Sequence, residues 1–367
     1  MHRSLQVTLK HGLNNQSAYS FASYGLTLCR MRRIDEGYRF GQLALALLER
    51  FQNNLGARLP HIFALVYTYI SCNVDPLQSL LPELRHGYDI ALRSGCIEGS
   101  MTIGRRTSSI LLACANDLKS AAEEVKGYVL HMEKHNHITL KFTLPVLQMM
   151  LILMGDGGED PTRLTGEVMD EDSALEEAAT GDCALAIIDI NAIRLKLMYL
   201  FGKYEEAGGL VTSVISLKKQ WPVRGDSVIF DEDIYIGLIA AVMGHLRPPE
   251  LDQWTEIAED MVKTLERQSK YSQWNFLHKL RLLEAEIAYF LRGDKTTATR
   301  CYAEAIELAS KHKFKFDHAL ALERMSVFCS ETGEAVLARD YSEKAETAYR
   351  DYGATRKADA IRNSYSV

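Results

Sequence analysis

Two stretches in the last third of the chain place small and larger residues at the same distances after a glycine. In both, alanines stand at plus five and plus twelve, with a larger or hydroxylated residue between them. The residues are Gly293, Ala298, Tyr302 and Ala305 in the first stretch, and Gly333, Ala338, Ser342 and Ala345 in the second. Small residues at these positions let two helices approach closely, while the residue between them fills the groove. The pattern therefore predicts pairs of antiparallel helices.

The same frame occurs in weaker form upstream. It is present at Gly202 and Ala207, at 32–45 and at 116–128. This frame is the template of the tetratricopeptide repeat, a stacked helix–turn–helix unit. We find no run of alternating apolar and polar residues bounded by hairpin turns, so nothing indicates strands. We expect an all-α, tetratricopeptide-like α-solenoid of about 14 to 18 helices, in which the named Gly, Ala and Tyr residues are packing positions.

Loop-like compositions divide this array. Two uncharged apolar stretches, 59–74 and 142–155, are shorter than the roughly 20 residues a membrane helix needs, so we interpret them as buried helices. We assign 1–155 to an N-terminal helical repeat block, 156–182 to an acidic, glycine-rich connection with a helix start, and 183–367 to a C-terminal repeat block. The whole is expected to form one continuous superhelix. Hinges are expected at the breaks 155–165, 221–233 and 244–250.

Composition supports a helical, intracellular chain. There are 8 prolines in 367 residues, under half the usual share of about 5%. The net charge of −6 gives no reason to expect nucleic acid. The seven cysteines are odd in number and lack a Cys-x-x-Cys, and the N-terminus lacks the apolar core of a signal peptide. We expect a reduced, cytoplasmic protein without membrane insertion.

Nucleotide-binding and catalytic motifs are missing from the sequence. A P-loop requires a glycine five residues before its Gly-Lys, and the only Gly-Lys, at Gly202, has none. The segment 156–158 (Asp-Gly-Gly) is similar to a histidine-kinase ATP lid, but Asp160 stands where glycine is required. Protein-kinase motifs and the Gly-x-Ser-x-Gly elbow are also missing. We therefore expect a protein that is not an enzyme, with no catalytic residue and no cofactor.

Two polar clusters are candidate sites. His131 and His135 stand four residues apart and could share a helix face, but no cysteine or carboxylate at a recognisable spacing completes a zinc site. We favour an exposed polar helix end and no metal, with adventitious zinc as the alternative. The segment 105–109 (Arg-Arg-Thr-Ser-Ser) resembles a substrate site for a basophilic kinase. An exposed helix end without a function is the preferred interpretation there.

Cysteines and tyrosines have a packing interpretation and a functional one. Cys29, Cys114 and Cys329 stand next to apolar residues and are expected to be small core side chains rather than nucleophiles. Tyrosines near repeat positions are expected to pack between helices, with a ligand-facing concave groove as the alternative. These tyrosines are Tyr19, Tyr24, Tyr38, Tyr302, Tyr341, Tyr349 and Tyr352.

Three segments together resemble a known arrangement. They are 25–51 (GLTLCRMRRIDEGYRFGQLALALLERF), 81–95 (LPELRHGYDIALRSG) and motifs within 275–357. They are similar, in order, to the helical repeat region of large multidomain signalling proteins. In those proteins a serine/threonine-kinase-like domain and a STAND-type AAA ATPase precede the repeats, and a GAF domain and a sensor histidine kinase often follow them. Cys96 departs from the family's usual Asp, and 156–182 matches poorly.

The resemblance implies a function without catalysis in this chain, because nucleotide chemistry in that family lies outside the repeats. We expect an interaction or sensing module that couples an unidentified protein or peptide partner to neighbouring ATPase or kinase domains. One alternative is a stand-alone adaptor whose groove binds a peptide or helix of another protein. The other is an enzyme that uses the histidine cluster at 131–137. The resemblance leaves open whether Met1 and Val367 are native ends.

Overall fold

The computed structural model describes residues 12–14, 16–50, 59–220 and 231–364, together with Gln6 and Lys10. These residues form 17 α-helices in successive pairs. They are α1 (Ser17–Arg30), α2 (Ile34–Arg50), α3 (Leu59–Leu65), α4 (Leu77–Arg93), α5 (Ile97–Cys114), α6 (Leu118–Lys134), α7 (Leu140–Met154), α8 (Glu171–Thr180), α9 (Ala184–Leu200), α10 (Tyr204–Gln220), α11 (Glu232–Leu246), α12 (Leu251–Tyr271), α13 (Gln273–Glu286), α14 (Lys295–Lys311), α15 (Lys315–Glu331), α16 (Ala335–Tyr352) and α17 (Thr355–Ser364).

The expected fold class is confirmed: the protein is an all-α array of antiparallel helix pairs of the tetratricopeptide-like kind. Within the described residues there is no strand, and only an isolated bridge joins Gly157 to Gly166. Single π-turns extend α3 over Val66–Ile70 and α13 over Ile287–Leu291. No helix of the described segments is long and apolar enough to cross a bilayer.

The helices alternate between two kinds. From α4 to α16, apart from the short α8, every second helix is buried around most of its circumference: α11, for example, buries 13 of its 15 residues. The intervening helices bury one stripe only, as in α10, where 4 of 17 residues are buried. A helix that is buried all round lies inside a protein, whereas a striped helix covers its surface. The inner layer therefore consists of α5, α7, α9, α11, α13 and α15.

The inner helices form a closed ring. Each contacts the next one along the chain, and α15 contacts α5, so that the last inner helix returns to the first. The main apolar core follows this ring from Ala64 to Ile361, across the connection at 156–182. A smaller core joins α1, α2 and α3.

Local chemistry sets the helix ends. Asp117, Asp170 and Asp294 precede α6, α8 and α14, and each accepts a hydrogen bond from a backbone amide of the first turn. Gly155 and Gly353 follow α7 and α16 with φ of 106° and 98°, a backbone region that glycine adopts without strain. A single 3₁₀ turn, Pro248–Glu250, leads into α12.

Candidate functional site

Four successive inner helices meet in a buried network of charges. Lys279 of α13 binds Asp231, at the start of α11, and lies 3.5 Å from Asp317 of α15. His278 Nε2 lies 2.7 Å from Asp317 Oδ2, and Lys196 of α9 lies 3.7 Å from Asp231. All five side chains are less than one tenth exposed. The network joins α9, α11, α13 and α15 at the inside of the ring.

The protonation states in this network follow from burial and pairing. Burial disfavours the charge on Lys279, but Asp231 and Asp317 more than compensate and raise its pKa. Burial also opposes the charge of Asp317, yet Lys279 and His278 hold its pKa below the ordinary range. Burial lowers the pKa of His278, so the ring is neutral at pH 7 and donates Nε2–H to Asp317. Its Nδ1 has no hydrogen-bond partner.

A second buried pair lies further along α13 and α15. Arg324 donates from Nε and Nη2 to the two carboxylate oxygens of Glu286, at 2.8 and 3.0 Å. The hydroxyl of Tyr302 also donates to Glu286, at 2.7 Å, and Arg324 Nη1 donates to the hydroxyl of Tyr204 at 3.2 Å. Burial alone would lower the pKa of Arg324, but Glu286 and the tyrosines raise it well above its ordinary value. This forked pair fixes both the distance and the register of the two helices.

The third buried group ties α15 to α17. Lys357 of α17 lies 2.6 Å from Glu323 and also donates to the carbonyl oxygen of Leu200, the last residue of α9. The hydroxyl of Tyr349 donates to Glu323 at 2.9 Å. Three inner positions of the ring are therefore occupied by cations that are already matched by carboxylates of the same chain.

Two tyrosine hydroxyls between these groups have no hydrogen-bond partner. Tyr199 and Tyr235 pack edge to face with ring centroids 5.7 Å apart, and each is 2% exposed. Lys196 Nζ lies 5.2 Å from the ring of Tyr235 and 4.9 Å from that of Phe316. Burial raises the pKa of both tyrosines well above the ordinary value, so both stay protonated. Orphaned buried hydroxyls carry a cost that a purely structural core avoids.

A small pocket opens at the start of α11. It has an empty volume of about 200 Å³ and is lined by Asp231, Asp233, Ile234, Leu265, Gln268, Phe276 and Lys279. Next to the pocket, burial raises the pKa of Glu232 to about 7, although Lys218 lies 3.1 Å from its carboxylate.

Polar contacts between residues about 200 positions apart hold the ring closed at one junction. Asn275, fully buried at the start of α13, accepts from the Leu77 amide at 3.1 Å and donates to the Asp75 carbonyl at 2.8 Å. The indole of Trp274 donates to the carbonyl of Val74 at 2.7 Å. The side-chain oxygen and nitrogen of Asn275 therefore both form hydrogen bonds to the backbone of 75–77, as a neighbouring backbone segment would.

A second junction joins α17 to the end of α7 and to the segment that follows it. Arg356 of α17 donates to the carbonyl oxygens of Gly158 and Glu159, at 2.6 and 2.5 Å. The hydroxyl of Thr355 donates to the carbonyl oxygen of Met154, the last residue of α7. These donors bring α17 onto the connection that the sequence assigns to 156–182.

The predicted packing residues lie at helix contacts and turns. The alanines of the set, together with Tyr302, are almost fully buried: Ala207, Ala298, Tyr302, Ala305, Ala338 and Ala345. The glycines of the set end helices in the left-handed region: Gly202, Gly293 and Gly333, with φ of 76°, 64° and 87°. Their assignment as repeat-packing positions stays a prediction. Of these residues, Tyr302 also contacts a buried charge, because its hydroxyl donates to Glu286.

The exposed-end interpretation of 105–109 is wrong. These residues lie within α5, and their relative exposure is between 0 and 9%. Arg105 pairs with Asp189 at 3.2 Å and lies over the ring of Phe142 at 4.3 Å. Ser108 and Thr107 donate to backbone carbonyls one turn back. A kinase cannot reach any of these hydroxyls without unfolding α5, because the site is inside the ring.

The histidine cluster lies at the end of α6. His131 Nδ1 is 3.0 Å from the hydroxyl of Tyr88, and His137 bridges Thr139 and Glu98 at 2.9 Å each. Among the described residues no three His, Cys, Asp or Glu side chains are arranged to hold a metal ion. Burial raises the pKa of Cys29 and Cys114 to about 12. Cys114 and Cys329 are buried, as expected, whereas Cys29 is half-buried.

The tyrosines divide by position. Tyr302, Tyr349 and Tyr352 are buried between helices, whereas Tyr19 is 38% exposed. Tyr38 donates to Asp75 at 2.8 Å, beside the first junction. The remaining two, Tyr24 and Tyr341, are half-buried.

The charged inner residues escaped the sequence analysis. The sequence marks such a residue only as a single charge within an apolar run, as at Leu195-Lys196-Leu197. A buried charge of this kind requires a partner, but the partner is 35 or more residues away in sequence. Pairing across helices cannot be inferred from spacing along one helix.

No protein-family model matches the chain, and no curated protein matches it. Among solved structures it is similar to a Rap protein complexed with competence and sporulation factor, at 10% identity and a TM-score of 0.40, over 96% of this chain and 80% of that one. It is also similar to a circular tandem repeat protein with novel repeat topology, at 14% identity and a TM-score of 0.24, over 96% and 100%. Both TM-scores are below 0.5, and neither likeness bears on what this chain binds.

Proposed function

We propose that this chain is a non-catalytic interaction and sensing module that couples a protein or peptide partner to a neighbouring ATPase or kinase domain. The family resemblance of the sequence motivates the coupling to such domains, and a cytoplasmic location goes with it. The division into blocks at 1–155, 156–182 and 183–367 is part of the same proposal.

The observation that carries the proposal is the polar closure of the ring. Contacts made by Arg356 end on backbone carbonyl oxygens, which water can satisfy when the contacts part. The charges behind them are paired within the chain, so an opened ring would present cations and carboxylates to a partner. A partner that binds only the opened form shifts the equilibrium by its differential affinity for the two forms.

The first experiment reads the open frame on both sides of Met1 and Val367 by mapping both ends of the messenger RNA. A P-loop ATPase or histidine kinase in the same frame supports coupling. ATP hydrolysis by that full protein is then compared for Lys279→Met, which breaks the inner network, and Lys263→Met, which removes an exposed pair with Asp260 at 3.0 Å. We expect the inner variant alone to change the rate.

A stand-alone adaptor is the alternative, and a frame without such domains favours it. Photo-crosslinking from position 323, which faces the interior, should then capture a peptide or helix that position 343, on the outside, does not capture. Saturable ATP binding by this chain alone, measured calorimetrically, would contradict both versions.

A further inference from the structure

The turn between α16 and α17 lies against the N-terminal block. Gly353 has a φ of 98°, and a Cβ on it would lie 3.3 Å from the Cβ of Leu118, the first residue of α6. From this turn Thr355 reaches Met154, and Arg356 reaches the carbonyls of Gly158 and Glu159. The start of α17 is thus anchored mainly to a part of the chain that precedes it by about 200 residues.

The anchors of α17 are polar, and its apolar contact is small. Only Lys357, Ala358 and Ile361 of its ten residues are buried. Met154 and Leu200 are the last residues of α7 and α9, and helix C-termini leave carbonyl oxygens that lack intrahelical partners. Water can hydrate these oxygens when α17 leaves.

The other junction is built differently. Asn275 is fully buried, both atoms of its amide are bonded, and it stands in the first turn of α13, which follows α12 after one residue. It cannot part from 75–77 without disturbing two long helices. Of the two junctions, only the one made by α17 can separate with most of the apolar core intact.

Beneath α17 lies the third buried charge group. Lys357 Nζ covers Glu323 and lies 5.6 Å from the ring of Phe201 and 5.9 Å from that of Tyr349. Lifting α17 removes Lys357, so that Glu323, the Tyr349 hydroxyl and the Leu200 carbonyl are left to solvent. These three groups form the edge of the polar interior described above.

We propose that α17 is a releasable lid over the polar interior, which turns about Gly353 and exchanges its donors for water. The role of this lid, to admit a partner to the inner helices, rests on the proposed function. Its movement is a property of this chain alone and can be tested without any partner.

The test is hydrogen exchange of the full chain, read by mass spectrometry. In the variant Thr355→Val/Arg356→Ala, amides of α17 and of the last turns of α7 and α9 should exchange about tenfold faster or more, since each lost hydrogen bond shifts a local opening by about that factor. Far-UV circular dichroism and the exchange of α12 and α13 should not change. Asp359→Ala is the matched control, because it removes only the exposed pair with Arg350 at 2.8 Å.

Two outcomes would overturn the lid. One is unchanged exchange at the ends of α7 and α9 in the double variant; the other is faster exchange throughout the chain, which marks general destabilisation. If the double variant does not fold, Arg356→Lys is compared with the parent in its place. This variant keeps the positive charge but cannot donate to both carbonyl oxygens in the geometry of a guanidinium. A lid that opens in a protein that binds no partner would contradict the proposed function and leave the lid standing.

Discussion

Glu286 is a single carboxylate on which two buried groups depend. It is 0% exposed, and both of its oxygens bind Arg324. Glu286→Gln should lower the free energy of unfolding by about 3–5 kcal/mol, because it leaves a buried guanidinium without its counter-charge. Urea denaturation at pH 7 measures the loss.

The matched control is an exposed pair of the same chemistry. Glu343 lies 3.1 Å from Arg339 on the surface of α16, and both side chains are more than 60% exposed. Glu343→Gln should change stability by less than about 0.5 kcal/mol, because solvent screens such pairs. Equal effects for the two variants would show that the Glu286 pair is not closed to water.

Glu232 makes stability depend on pH. Its pKa is raised from 4.5 to about 7, chiefly by burial, so the folded protein holds this proton over a range where the unfolded chain has released it. The contribution of this tighter proton binding to the free energy of unfolding is fully present below about pH 4.5 and is lost as the pH rises through 7. Glu232→Gln should therefore be more stable than the parent at pH 8, by on the order of 2–3 kcal/mol, and closely similar at pH 4.5.

The measurement for Glu232 is urea denaturation of both proteins at pH 4.5, 6 and 8. Asp233→Asn serves for comparison, since its neighbour Lys218 is shared with Glu232. A difference between Glu232→Gln and the parent that is the same at all three pH values would show that this carboxylate does not titrate in the window.

At the scale of helices, glycines fall into two classes with opposite expected effects. Gly333 follows α15 at a φ of 87°, with open space around it. Gly333→Ala should cost about 1–2 kcal/mol, because an L-residue is strained in this region. Gly127 is an exposed glycine inside α6, and a Cβ on it would have nothing within 4 Å. Gly127→Ala should raise the free energy of unfolding by about 0.5–1 kcal/mol, because alanine favours the helix.

Thermal unfolding of Gly333→Ala and Gly127→Ala checks the signs. A destabilised Gly127→Ala would mean that α6 is not a regular exposed helix at that point. Stabilisation of Gly333→Ala would mean that the turn does not need the left-handed conformation.

Whether a helix is inner or outer is also decided at this scale. Outer helices such as α12 carry one apolar stripe, and periodicity predicts them well. Inner helices such as α9 bury residues all round, and charges at Asp189 and Lys196 interrupt their apolar runs. Sequence patterns mark these helices as buried but give no face, and the charges look like surface positions until their partners are known.

For the whole molecule, Asn275 tests how the ring is closed. Asn275→Ala leaves the Leu77 amide and the Asp75 carbonyl without partners and should cost about 2–4 kcal/mol. Hydrogen exchange should increase at 74–78 and at the start of α13. Trp274→Phe loses one bond from a side chain that is 38% exposed and should cost about 1 kcal/mol or less.

A local unfolding confined to α13 in Asn275→Ala, without any change at 74–78, would contradict this closure. Protection lost on both sides together would support it, because the two segments are about 200 residues apart in sequence and are joined by the hydrogen bonds of this junction.

The sequence by itself determined the fold class, an all-α array of helix pairs, whereas the repeat-packing positions stay a prediction. Small residues at plus five and plus twelve after a glycine depend on contacts within one helix pair, which local spacing encodes. The apolar stretches at 59–74 and 142–155 are helical, as their local composition predicts. In the first stretch a π-turn and a 3₁₀ turn follow the α-helix. The segment 221–230 of one expected hinge lies outside the described residues.

Only the tertiary structure decided that the ring is closed, that 105–109 is interior, and which charges pair. Each of these depends on residues from different repeats, such as Arg105 with Asp189 or Lys279 with Asp231. A residue's type shows that burying it without a partner is costly, but the small rotation between successive helix pairs decides which partner it meets. That rotation accumulates over the array, so the contact between α15 and α5 exists only once all the helices between them are in place.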